Sequence, residues 1–162
     1  MHFRRLFLYC TLFGWLLAFQ LAAQQPSTTS GLQLRPNAAI GLLDGEAVYA
    51  AGLRALLDAG NQKYYGLEFS RFQPNGAGQE FYTAGIVLEQ QLFGWFHSAI
   101  GTIGYFGFGA ESTNAVGLTS SLGWAPASQK RVRPCITYRS DLIFTAKTQV
   151  IHSLNAGISI RL

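Results

Sequence analysis

The residues able to do chemistry in this chain are few: three histidines, two cysteines and a sparse set of charges. The nearest thing to a nucleophile site is His152-Ser153-Leu154-Asn155. A histidine activates a serine hydroxyl for acyl transfer only if both side chains reach the same point. In an extended strand, neighbouring side chains point to opposite faces, so His152 and Ser153 diverge. The residue that shares the histidine's face is Leu154, and no acidic residue follows to orient the ring. His97, His152 and Cys135 lack the spacing of zinc ligands. The stretch Gly104 to Gly109 does not match a phosphate-binding loop. No catalytic residue, metal ligand or cofactor is therefore expected.

The charges are more suggestive. Arg35, Arg54, Glu68, Glu89, Arg139, Asp141 and Arg161 are mixed in sign and spread over separate segments. All take the parity opposite to the apolar residues around them. Charges turned into a protein interior are tolerable only when paired. They are expected to converge on a network of arginine–carboxylate contacts. Such a network serves either as a packed core or as the gate of a narrow pore.

The elements that must position these charges are short and extended. From Ser153 to Leu162, Leu154, Ala156, Ile158, Ile160 and Leu162 alternate with Ser153, Asn155, Gly157, Ser159 and Arg161. Period-two alternation gives a strand one apolar and one polar face. Turn signals recur through the chain: Leu43 to Glu46, Asp58 to Asn61, Pro74 to Gly78, around Gly94, Glu111 to Asn114, Ala125 to Pro134, and Ala146 to Thr148. These connections imply eight strands. Leu32, Leu34, Pro36, Ala38, Ile40 and Leu42 form one face of the first, and Tyr49, Ala51, Leu53, Ala55 and Leu57 one face of the second. Leu67 and Phe69 oppose Glu68 and Ser70 in the third, and Tyr82, Ala84, Ile86 and Leu88 oppose Thr83, Gly85 and Glu89 in the fourth. Val116, Leu118, Leu122 and Trp124 line the sixth, and Ile136, Tyr138, Leu142 and Phe144 the seventh. The phase of the fifth, around Ile100 to Phe108, is open. Ala47 to Leu57 also fits a short helix ending at Gly60. Pro36 lacks a donor and belongs near a strand start or a bulge.

Residues 1–23 have the form of a secretory signal: Arg4 and Arg5, a mostly apolar run from Leu6 to Phe19, and Leu21-Ala22-Ala23 before Gln24. Residues 24–31 read as a flexible lead and residues 32–162 as one domain. Of the 12 basic residues, Arg4 and Arg5 lie in the signal, so the remainder only slightly outnumber the 8 acidic ones. That balance gives no reason to expect nucleic-acid binding. Cys10 sits in the signal, leaving Cys135 without a partner for a disulfide. Charged residues make up 12% of the chain, against about 25% in ordinary soluble domains. After the signal there is no apolar run of ~18 residues that could cross a bilayer as a helix. Hydrophobicity spread over short alternating stretches is how transmembrane barrels cross it.

Alternation alone does not say which face points out. The polar face carries Gly41, Gly52, Gly85, Gly117, Gly123 and Gly157, suited to a crowded eight-stranded lumen. Aromatics gather at strand ends. Phe93, Trp95, Phe96, Trp124 and Tyr65 would form a girdle at the end carrying both termini. Tyr49, Phe72, Tyr82, Phe106, Phe108 and Phe144 would form one at the other end. Both features favour an apolar face turned to lipid. A soluble, lipocalin-like secreted barrel would reverse the faces.

The signal followed by Gln24, Leu122-Gly123-Trp124 ahead of the Pro134 strand, and Asn155-Ala156-Gly157-Ile158-Ser159-Ile160-Arg161-Leu162 resemble the small eight-stranded outer-membrane β-barrels, the OmpA/OmpX/OmpW-like group. The single-domain barrels of Bacteroidota are the most similar in pattern. The resemblance spans Leu32 to Leu162. Many such proteins end in Phe where this chain has Leu162. The resemblance implies an all-β, eight-stranded antiparallel up-and-down transmembrane barrel in the outer membrane. It also implies lipid as a partner, a closing strand read by the barrel-assembly machinery, and a monomer without enzymatic activity. Its role is expected to be structural or interactive, or that of a narrow channel or small-solute binder. The lipid A 3-O-deacylases, also eight-stranded barrels, carry a His-x-Ser-Asn motif that His152-Ser153-Leu154-Asn155 does not reproduce.

Overall fold

The structure, a computed structural model, describes residues 31–76, 78–109, 113–126 and 131–162. The expected signal, nearly all of the lead, and Ala77, Glu111, Ser112 and residues 127–130 of the turn regions lie outside the described residues.

Alternation becomes strand in every segment that shows it. The strands are β1 (Leu32–Leu43), β2 (Glu46–Asp58), β3 (Lys63–Pro74), β4 (Phe81–Gln91), β5 (Phe96–Phe108), β6 (Thr113–Trp124), β7 (Val132–Phe144) and β8 (Gln149–Arg161). Each pairs antiparallel with its chain neighbour, and β8 pairs with β1 to close the barrel. Closure leaves no unpaired strand edge, the condition for β-structure in hydrocarbon. Ala47 to Leu57 is strand throughout, not helix.

Turn chemistry closes the hairpins where the punctuation falls. Asp44 and Gly45 both take positive φ, 51° and 90°, and make the two-residue turn whose twist matches the flanking strands. Pro36 lies inside β1, without a bulge. Its register with β2 is continuous, whereas Arg35 and Pro36 drop out of the ladder to β8 between Leu34↔Ile160 and Asn37↔Gly157. The missing N–H interrupts one side of the strand only.

The faces are resolved by exposure. Leu154, Ile158, Ile86, Leu118 and Leu122 point outward. Arg54, Glu68, Glu89, Arg139 and Asp141 point inward and are buried. The reversed, lipocalin-like arrangement is therefore not what the chain adopts. Gly123 shows how tight the lumen is: a Cβ there would stand 2.1 Å from His97 Nε2.

β5 breaks the period. Its register to β6 shifts between Tyr105 and Phe108, and Gly107 takes φ 73°. An extra residue in a bulge flips the side chains beyond it. Phe106 thus faces out while Phe108 turns in, at 3% exposure. Phe108 is not part of the outer girdle, and neither is Phe72, which is likewise buried. The parity of Leu67 and Phe69 already gave Phe72 the inward face. Tyr49, Tyr82, Phe106 and Phe144 remain exposed at that end. Phe93, Trp95, Phe96 and Tyr65 are exposed at the other, with Trp124 half-buried against Trp95.

Candidate functional site

The lumen is where the charged side chains of five strands meet. Alternation on β1, β2, β3, β4 and β7 sends Arg35, Arg54, Glu68, Glu89, Arg139 and Asp141 to the axis. Arg35 binds Glu89 at 2.7 Å, and Arg54 reaches the same carboxylate at 3.2 Å. Arg54 Nε donates to Glu68 Oε2 at 2.8 Å. Glu68 also receives Arg139, whose Nε donates to Asp141 Oδ1 at 2.7 Å. From β8, Ser159 receives Arg35 Nε at 3.3 Å and donates to Gln33 Oε1. One connected chain of ion pairs therefore runs across the barrel, with its three guanidiniums matched by three carboxylates. Matching is what makes burial tolerable, because removing water from a lone ion costs several kcal/mol.

Arg161 is not in this network. It is exposed at the rim, where its backbone carbonyl accepts from Arg131 Nε at 3.1 Å. Terminal position explains the difference: beyond Ser159 the lumen opens, and a long side chain finds water instead of partners.

The distal half of the lumen, away from the termini, is filled differently. Val48, Phe72, Phe81, Ile103, Tyr105, Phe108, Ile143 and Ile151 form a buried apolar cluster there. Phe72 and Phe81 stack at 4.9 Å, and Phe81 meets Phe108 edge-on at 4.9 Å. Arg139 lies over the Phe72 ring at 5.9 Å, joining the ionic layer to the aromatic one. A smaller cluster of Leu56, Tyr64 and Val87 packs near the terminal end. Sequence reasoning missed these residues by treating the inward face as polar and small. The signal was present as unbroken apolar runs. In Ala47-Val48-Tyr49, Ile86-Val87-Leu88 and Leu142-Ile143-Phe144 the middle residue must face in.

The space left over is slight. A void of about 30 Å³ lies between Arg35, Arg54, Arg139, Cys135 and Asn155, room for about two water molecules. A second, of about 20 Å³, lies by Gln33, Tyr64, His97 and Arg133 at the terminal end. Among the described residues, no cluster of three or more His, Cys, Asp or Glu side chains is arranged to hold a metal.

The nucleophile motif separates as its parity requires. Ser153 is buried in the lumen and His152 is exposed outside. There His152 Nδ1 lies 2.9 Å from the Tyr138 hydroxyl.

A closed eight-stranded antiparallel barrel with apolar residues outside and ion pairs within defines an architectural class, the outer-membrane β-barrel. Solved structures share the fold. Neisserial surface protein A overlaps it with a TM-score of 0.59 at 14% identity, covering 86% of this chain and 100% of the other. A de novo designed transmembrane β-barrel overlaps with a TM-score of 0.53 at 9% identity, covering 85% of this chain and 100% of the design. The outer membrane protein OprG from Pseudomonas aeruginosa overlaps less well, with a TM-score of 0.45 at 10% identity over 84% of this chain and 98% of its own. No protein-family pattern matches the chain, and no curated protein matches it in sequence. At these identities the likeness speaks for the fold and leaves the role to be argued from the residues.

Proposed function

We propose that this protein is an integral outer-membrane barrel, exported by residues 1–23, with a structural or interaction role and a non-conducting lumen. The carrying observation is the outer belt. Ile86 is 66% exposed and Leu154 53%, on a face also carrying Leu53, Leu67, Phe69, Leu118 and Leu122. A belt this continuous is far beyond the apolar patches that soluble monomers leave in water. In a bilayer it is at home, with the two sets of exposed aromatics at headgroup level. Both ends of the barrel then lie in the periplasm, and the face made by Leu154, Ala156, Ile158 and Ile160 of β8 and by Leu162 after it is the one offered to the assembly machinery.

Closure of the lumen is supported by the aromatic stack above the ion pairs and by voids of only water size. A narrow channel would need a continuous wetted path through Phe72, Phe81 and Tyr105. No enzymatic role is proposed, since His152 and Ser153 lie on opposite sides of the wall. Membrane fractionation with heat-modifiable gel migration tests the location. A protein recovered folded in the soluble periplasm refutes it. Planar-bilayer recording tests closure, with silence expected and steady conductance refuting it.

A further inference from the structure

We propose that the barrel mouth beside the chain termini is a binding cup for a single oxyanion, the carboxylate or phosphate group of a small solute or lipid; that the cup faces the periplasm rests on the outer-membrane reading above. It begins where the paired charges end. Arg133 is the second residue of β7 and shares the inward parity of Cys135 and Arg139. Its side chain is half-buried, yet it has no hydrogen bond or ion pair among the described residues. The ionised groups that act on it are Arg161 on β8 and Arg35 on β1, and both repel it. Arg35 is matched by Glu89. Arg133 and Arg161 have no carboxylate partner among the described residues. Asp58, also at this end, instead accepts from the Gly60 N–H at 2.8 Å. The distal mouth has no such excess. There Asp44, Glu46 and Glu80 stand with Arg71 and Lys147, and Arg71 is paired with Glu80. Cations gathered at one mouth without counter-charges raise the local concentration of anions.

Inside this mouth lies the void of about 20 Å³, bordered by Gln33, Arg35, His97 and Arg133, with Trp95 and Phe96 at its lip. Its floor is held in place before any ligand arrives. Gln33 is buried, and its Oε1 accepts from Arg35 Nη2 and from the Ser159 hydroxyl, both at 3.3 Å. Glu89 is the carboxylate on the floor, and Arg35 and Arg54 both cover it. His97 is 4% exposed, and its Nε2 has no partner among the described residues. Buried polar atoms are normally paired, and a ligand oxygen would complete this one. A void this small admits the oxygens of one anionic group and leaves the body of the ligand in the open mouth. There it lies between the exposed rings of Trp95 and Phe96 and the guanidinium of Arg133. A guanidinium offers an oxyanion two parallel N–H groups, the geometry that best recognises carboxylate and phosphate. The ion pairs and the aromatic stack close the far side, so the cup holds its ligand without passing it.

The test is anion titration of the mature barrel refolded in a neutral detergent, read by tryptophan emission. After the expected signal the chain holds two tryptophans, Trp95 and Trp124, both at this mouth with rings 6.2 Å apart. The probes are inorganic phosphate and acetate, each compared with sodium chloride at the same ionic strength to subtract general screening. Phosphatidylcholine vesicles with and without phosphatidylglycerol separate a lipid phosphate from a free anion. A saturable change with phosphate or acetate is expected. Arg133→Gln is expected to weaken it about tenfold or more, the usual worth of a hydrogen bond to a charged group. Arg161→Gln, at the exposed rim, is expected to weaken it in the same direction, and Arg71→Gln, at the distal mouth, to leave it unchanged. A change seen only with phosphatidylglycerol and lost in Arg133→Gln upholds the cup and assigns its ligand to the lipid. No saturable change with any probe, or one that Arg133→Gln and Arg161→Gln leave intact in barrels that show heat-modifiable migration, overturns it. The detergent titration needs no membrane, so a barrel found outside the outer membrane removes the periplasmic setting and not the cup.

Discussion

Glu68 is the residue on which the ionic core turns, and Glu68→Ala is the sharpest test of it. The side chain is 2% exposed and accepts both Arg54 and Arg139. Without it, Arg54 keeps only its 3.2 Å contact to Glu89, and Arg139 keeps only Asp141. Three buried guanidiniums then face two carboxylates. Removing one partner of a buried pair costs about 3–5 kcal/mol, chiefly because the other charge stays buried and unmatched. Folded proteins are stable by only about 5–15 kcal/mol, so this loss is large. Glu68→Gln keeps the volume and one acceptor oxygen but leaves the same unmatched guanidinium charge, and is expected to cost about 3 kcal/mol, the lower end of that range. The assay is urea unfolding in vesicles at neutral pH, followed by tryptophan fluorescence and gel mobility. Pairing Glu68→Met with Arg54→Met removes one charge of each sign and leaves Arg35 on Glu89 and Arg139 on Asp141. The double variant is expected to be more stable than the sum of the two singles by about 1–3 kcal/mol. A cost below about 1 kcal/mol for Glu68→Ala, or strict additivity of the methionine pair, refutes the account in which mutual neutralisation holds the lumen together.

Two further outcomes follow from the same geometry. Phe81 is at the centre of the aromatic stack, so Phe81→Ala is expected to cost about 3–5 kcal/mol in the same unfolding assay. A cost under about 1 kcal/mol would mean that the distal half is loosely filled. Arg71, near the outer end of β3, hydrogen-bonds through its guanidinium to the carboxylate of Glu80, just before β4, at 2.5 Å and holds its pKa below the usual range. A depressed carboxyl stabilises the fold above its unfolded pKa and loses that contribution as the pH falls through the folded value. The stability gap between wild type and Glu80→Gln is therefore expected to be present at neutral pH and to close on acidification, as unfolding midpoints measured across that range will show. A gap that persists unchanged in acid contradicts the pairing.

Much of the architecture was legible because it depends on local rules. Period-two alternation from Leu32 to Leu162 set eight strands, and Asp44-Gly45 and Gly60-Asn61 marked where they reverse. The inward parity of Arg35, Arg54, Glu68, Glu89, Arg139 and Asp141 follows from the same period and needs no tertiary information. Where the rule was interrupted, the reading stopped. Strand five could not be phased because Gly107 inserts a bulge, and nothing nearby announces an extra residue. Phe108 was consequently placed on the wrong face. Arg161 had the right parity for the lumen, but parity carries no information about where the lumen ends.

By itself, then, the sequence determined the number of strands, their turns and, outside strand five, which residues share a face, since these are fixed by the pleat and by backbone sterics along a single strand. Only the tertiary structure decided which face looks out and which arginine meets which carboxylate. It alone showed that aromatic rings close the distal half of the barrel and that Tyr138 and His152 meet on its outer wall. Those facts depend on register between strands and on barrel closure, which bring together residues as distant in the chain as Arg35 and Ser159. No local pattern of residues encodes such a meeting.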